Sequence, residues 1–138
     1  RDLRMSRGLG DVYKRQEWRT QKETQRLLDK YFTTKPNGIP GNDDTGTMSA
    51  WAIFNMIGFY PDCPGLPEYT LTTPVFNKVT IRLDPKWYKE KELVIESNRT
   101  QPGTLYINKV LLNGKKFNQY RITHDELVHS QRILFDLK

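Results

Sequence analysis

The stretch Gly38-Ile39-Pro40-Gly41-Asn42-Asp43-Asp44-Thr45-Gly46-Thr47-Met48-Ser49-Ala50-Trp51-Ala52-Ile53-Phe54-Asn55-Met56-Ile57-Gly58 decides how this chain is read. Its first part is turn chemistry. The prolines, glycines and asparagines of Lys35-Pro36-Asn37-Gly38-Ile39-Pro40-Gly41-Asn42 exclude a helix or a central strand and predict a loop of restricted shape. Residues 47–57 are apolar almost all the way round, the pattern of a helix covered by neighbours on every side, and Gly58 is placed to end it as a C′ residue. Asp43 and Asp44 therefore stand where a restrained loop feeds an oily helix.

Working upstream, Trp18, Leu27, Leu28, Tyr31 and Phe32 lie among good helix formers with no Gly or Pro until Pro36, which predicts one amphipathic helix from Trp18 to Phe32. A single upstream helix cannot cover residues 47–57, so the helical part is expected to be incomplete by itself. Downstream, Pro61, Pro64, Gly65 and Pro67 form a rigid connector, and the texture changes to alternation with period two. Residues 78–83, 92–96, 104–112 and 132–137 read as strands, rich in β-branched and aromatic side chains. Asn113-Gly114 favours a type I′ hairpin turn before residues 115–117, and Thr123-His124-Asp125-Glu126 fits a capping box opening one short helical turn. The expected class is α+β, with helices first and a small antiparallel β unit after them.

The chain has 138 residues, the size of about one domain. With 36% apolar and 28% charged residues and 12% aromatic, it is too aromatic for a disordered tail and too polar for a membrane protein. No run of about 18 apolar residues exists to cross a bilayer. The net charge of +6 hints at nucleic acid until it is located. Half of the surplus sits in residues 1–16, where Arg1, Arg4, Arg7, Lys14 and Arg15 face only Asp2 and Asp11. Beyond it the signs are interspersed, as in Lys89-Glu90-Lys91-Glu92, and no basic patch of the kind nucleic acid needs is formed. The first 16 residues lack apolar periodicity and the h-region of a signal peptide; Leu9-Gly10-Asp11-Val12-Tyr13-Lys14-Arg15-Gln16 resembles a translated adapter remnant, so they are set aside as a non-native, disordered leader. The single cysteine, Cys63, has no internal disulfide partner.

Two acids ahead of a helix have a plain structural reading, since they cap exposed N–H groups and face the positive end of the helix dipole. That reading occupies one acid and leaves the second without a task. The alternative is a carboxylate held at the mouth of a helical bundle as general base or metal ligand, for which the loop supplies a fixed position. An EF-hand is excluded: with Gly46 as sixth residue, the ends of the loop fall on Gly41 and Ala52, which carry no carboxylate. His124 and His129 lack ligand spacing, and Cys63 lacks a companion His, so zinc and nucleophilic thiol chemistry are excluded too. Met48 and Trp51 read as core at helical spacing, Trp18 as a sugar platform or a helix staple, and His124 as a surface residue of the capping box. Asn98-Arg99-Thr100 is a glycosylation sequon by pattern.

Residues 38–51, followed by Ile57-Gly58-Phe59-Tyr60-Pro61 and Thr73-Pro74-Val75-Phe76, resemble the C-terminal part of glycoside hydrolase family 92. The resemblance covers residues 17–138, with Trp18-Arg19-Thr20-Gln21, Leu112-Asn113-Gly114-Lys115 and Ile122-Thr123-His124 in the same order. It implies exo-acting, mostly bacterial α-mannosidases, many specific for α-1,2 linkages, secreted or periplasmic, and working by calcium-dependent inverting hydrolysis on an (α/α)6 barrel. In such a mechanism one carboxylic acid protonates the leaving oxygen and a carboxylate about 6.5–9.5 Å away activates water. The resemblance implies Asp44 as that base, with Asp43 assisting through calcium or a water, and Asn42 and Gly41 as substrate-binding positions; the calcium ligands stay unassigned. It departs from the family at Thr47, where Gln is usual, which puts a hydrogen bond near the site in doubt. The family's general acid, a glutamate earlier in the barrel, matches no residue here. The expected division is a leader over 1–16, the end of the barrel over 17–62 and a C-terminal β unit over 63–138. The chain is expected to be a C-terminal fragment, inactive alone, acting on a mannose-containing glycan with no nucleic acid or membrane span. The alternative is a non-catalytic carbohydrate-binding or interaction module.

Overall fold

The computed structural model describes residues 17–101 and 103–138; the leader over 1–16 lies outside the described residues. Helix α1 spans Glu17–Tyr31 and α2 spans Thr47–Ile57, joined by the Gly/Pro loop. Then follow β1 (Phe59–Tyr60), β2 (Glu68–Leu71), β3 (Lys78–Arg82), β4 (Glu92–Arg99), β5 (Ile107–Leu112), β6 (Lys115–Phe117), β7 (Arg121–Thr123), the short helix α3 (His124–His129) and β8 (Arg132–Leu137). The fold is α+β, helices followed by sheets, with no closed barrel among the described residues.

The strands form a three-stranded sheet in the order β1-β2-β7 and a five-stranded sheet in the order β3-β4-β8-β5-β6. All pairs are antiparallel except one: β8 runs parallel to β4, from Val94 opposite Arg132 to Arg99 opposite Leu137. The purely antiparallel expectation needs that amendment. Alternation identifies a strand but not its neighbour, and the long excursion between β4 and β8 gives the chain room to return in the same direction.

One core joins the two sheets. Along β8, Ile133, Phe135 and Leu137 point inward with period two, as do Leu93 and Ile95 of β4. Ile107 and Val110 of β5 extend this layer, and Phe59, Leu71, Ile122 and Leu127 close it from the small sheet and α3. The side chain of Asp62 in the connector is covered; its Oδ2 accepts from Arg121 at 2.7 Å and from Thr70 at 3.0 Å, tying the connector to β2 and β7.

The helices rest on this unit. In α2 only Ala52 and Asn55 are buried, while Ile53 is 53% exposed, so the helix expected to be covered on every side is covered on one. Trp51 stacks on Phe32 at 5.5 Å and meets Tyr60 edge-on at 6.5 Å, the packing role its spacing indicated. Trp18 is more than half exposed.

Candidate active site

The loop between α1 and α2 is fixed by its own backbone. Thr33 N–H donates to the Gly38 carbonyl and Gly38 N–H to the Lys35 carbonyl, each at 2.9 Å. A Cβ on Gly38 would lie 1.9 Å from the Thr33 oxygen, so only glycine fits there. The chain then enters α2 through Asp44 (φ 42°), Thr45 (φ 59°) and Gly46 (φ 89°), three successive left-handed residues. For a β-branched residue such as Thr45 this conformation is an outlier, held only where surrounding bonds enforce it.

Those bonds differentiate the two acids. Gly46 is the N-cap of α2 and has no side chain to cap with. Asp43 reaches over it: Oδ1 accepts from Ser49 N–H at 2.8 Å and Oδ2 from Ser49 Oγ–H at 2.7 Å. The hydroxyl bond first, and the backbone bond with it, hold the Asp43 carboxyl below its ordinary value. A carboxylate so engaged is a poor proton acceptor. Asp44 contributes its main chain instead, its carbonyl accepting from Thr45 Oγ–H at 2.6 Å and Thr47 Oγ–H at 2.7 Å. Its carboxylate is exposed and takes no hydrogen bond from any described residue. Gly41 (φ 76°) and Asn42 lie exposed just before the acids, so all four predicted site residues share one loop.

Ser49 and the hydroxyls of Thr45 and Thr47 were not singled out from sequence. The available signal was a serine three residues after the glycine that stands at the helix's cap position. At Thr47, the point of departure from the family pattern, the side chain still makes a hydrogen bond in the loop.

Calcium binds six to eight oxygens. Among the described residues no group of three or more His, Cys, Asp or Glu side chains converges on a metal-sized site, and both Asp43 oxygens already serve Ser49. The described residues by themselves do not amount to a calcium site. Away from the loop, His124 Nδ1 and the Tyr69 hydroxyl lie 2.9 Å apart, and His129 lies beside Asp125. Neither belongs to a metal cluster.

A helix-capping acidic loop set on a β-sandwich-like unit places the chain, by comparison with known proteins, among the glycoside hydrolases. The family profile described as the glycosyl hydrolase family 92 catalytic domain matches residues 12–138, and the chain belongs to that family. The match starts inside the leader that the sequence reading set aside. A family 92 α-mannosidase of Bacteroides thetaiotaomicron, solved with mannoimidazole, is 30% identical, with a TM-score of 0.79 over 88% of this chain and 16% of its own. An inverting family 92 mannosidase from Bacteroides thetaiotaomicron VPI-5482 is 36% identical, with a TM-score of 0.76 over the same shares. A secreted glycosidase of Arthroderma benhamiae, otherwise uncharacterised, is 30% identical over 104 residues, 75% of this chain and 13% of the fungal protein. The chain thus spans well under a fifth of the length of each relative.

Proposed function

We propose that this chain supplies the base-bearing loop of a family 92 enzyme that removes terminal α-linked mannose, α-1,2-linked in the first instance, by inverting hydrolysis, with Asp44 as general base. The observation that carries the reading is the division of labour in the loop. Asp43 is consumed by Ser49, whereas the adjacent Asp44 carboxylate is left open on a backbone pinned by Thr45 and Thr47. A base needs an open carboxylate in a fixed place, so that its water is aligned before reaction. Asn42 and Gly41, beside it and exposed, are suited to meet a sugar hydroxyl.

The general acid, most calcium-binding oxygens and the walls that select linkage would come from other parts of the enzyme; residues 17–62 would belong to the helical barrel and 63–138 to the appended β unit. Calcium enters this reading only as an ion held by other parts of the enzyme, with no ligand assigned on this chain. By itself the chain is expected to be inactive. A secreted location is supported by the description of the fungal relative as secreted; a periplasmic one is the alternative in this reading. The binding-module alternative asks for a row of exposed rings, but the β half offers Trp87 and Phe76 on separate loops and leaves Asp44 idle.

The test is to place residues 17–138 in an intact family 92 α-mannosidase and assay α-mannoside hydrolysis with and without a calcium chelator. Asp44→Asn is expected to lower turnover by about a hundredfold or more. Near-normal turnover of that variant would remove Asp44 from the role.

A further inference from the structure

We propose that Ser49 is a positioning residue for this hydrolysis, acting through Asp43 to fix where the Asp44 carboxylate stands, with Thr47 holding the loop from the other side. The inference rests on the reading of Asp44 as the base. Neither of these Ser49 hydrogen bonds goes to Asp44: its hydroxyl and its N–H both end on Asp43.

The left-handed run over residues 44–46 is what makes such a device necessary. Left-handed conformations at non-glycine residues are unfavourable and persist only when over-determined by their surroundings. Asp44 and Thr45 both adopt them. The restraints lie at the two ends of the run: Ser49 on Asp43 before it, and Thr47 reaching back from α2 to the Asp44 carbonyl. Rotation of the Asp44 backbone toward ordinary negative φ would swing its carboxylate away, and a displacement of about 1 Å can cost a hundredfold in rate. The chain thus uses the neighbouring acid as an anchor and keeps its own base unbonded.

Five variants in the intact enzyme scaffold, one of them a double substitution, separate this role from simple helix capping. Ser49→Ala keeps the backbone N–H bond to Asp43 and removes the hydroxyl bond. We expect kcat to fall about tenfold with KM little changed, and Ser49→Thr to recover most of the loss. In an Asp44→Asn background the same Ser49→Ala change should have no further effect on kcat, because its route runs through Asp44; a purely structural role would lower both backgrounds alike. Thr47→Val should behave like Ser49→Ala. In the 138-residue chain, a carbon-13 titration of the Asp43 carboxyl should show a lowered pKa that rises toward the ordinary range in Ser49→Ala. If Ser49→Ala keeps full kcat while Asp44→Asn collapses, positioning is overturned and the base reading stands. If Asp44→Asn keeps full turnover, the base reading is overturned, and the proposal with it. An Asp43 carboxyl that titrates identically with and without the Ser49 hydroxyl would also overturn the proposal.

Discussion

Gly58 ends α2 at φ 118°, and a Cβ added there would lie 3.2 Å from Pro74 Cβ and 3.5 Å from Phe135 Cζ. Substitution thus combines left-handed strain with crowding by a buried ring and a proline. Gly58→Ala is expected to destabilise the chain by about 1–3 kcal/mol, seen as a lower denaturant midpoint with an unchanged slope. This glycine was legible in the sequence because a C′ glycine after an apolar run is a local signal. At the other end of α2, capping by one of the two acids was legible too, but not which of them supplies it. A polar residue directly before a helix is the usual sign, but here that place is Gly46 and the capping carboxylate comes from Asp43, brought within reach of Ser49 by the positive φ of the residues between them. Both acids were legible as candidates; which one is occupied depended on a loop shape that residue spacing does not reveal.

At the scale of elements, α1 docks in a way its apolar pattern did not convey. Its buried positions are Gln21, Thr24 and Leu28, and polar side chains do the docking. The Gln21 Oε1 accepts from Ile107 N–H at 3.0 Å, and Gln25 Nε2 donates to the Thr73 carbonyl at 2.9 Å. Amphipathicity places apolar residues on the buried face by default, and here backbone groups of the β unit ask for hydrogen bonds instead. Gln21→Leu, of similar size, would leave the buried Ile107 N–H without its acceptor. A loss of about 1–3 kcal/mol in thermal or chemical unfolding is expected. Elements specified by neighbouring residues were read correctly: Thr123 and Glu126 form both bonds of the capping box, and Asn113 (φ 48°) with Gly114 (φ 81°) makes the hairpin turn. The strands β1, β2 and β7 were missed, being two to four residues long and defined by partners far away in the chain.

Across the whole molecule, ion pairs cross the large sheet from β3 through β4 to β8. Glu96 accepts from Arg132, whose Nε is 2.7 Å away, and lies 3.6 Å from Lys78 Nζ. The hydrogen bond from Arg132 is the main reason its carboxyl sits below the ordinary value, and Asp43 is lowered likewise by Ser49. Both groups bind protons less readily folded than unfolded, so their stabilisation is present above the usual carboxylate range and is lost as pH falls through their lowered folded values. The thermal midpoint should drop as pH falls below about 4, and Arg132→Met should make that drop shallower. Tyr69 acts at the opposite end: burial, and then the nearby Tyr88, raise its phenol, so stability should decline as pH climbs past the ordinary tyrosine range.

The order β3-β4-β8-β5-β6 has a consequence for biosynthesis. The middle plank of the large sheet is the last of its strands to be translated. Until residues 132–137 clear the ribosomal exit tunnel, the earlier hairpins β3–β4 and β5–β6 have no shared seam and present raw edges to whatever strand passes by. The nascent polypeptide must therefore keep both halves waiting, and be guarded from adventitious pairing, until β8 slots between them.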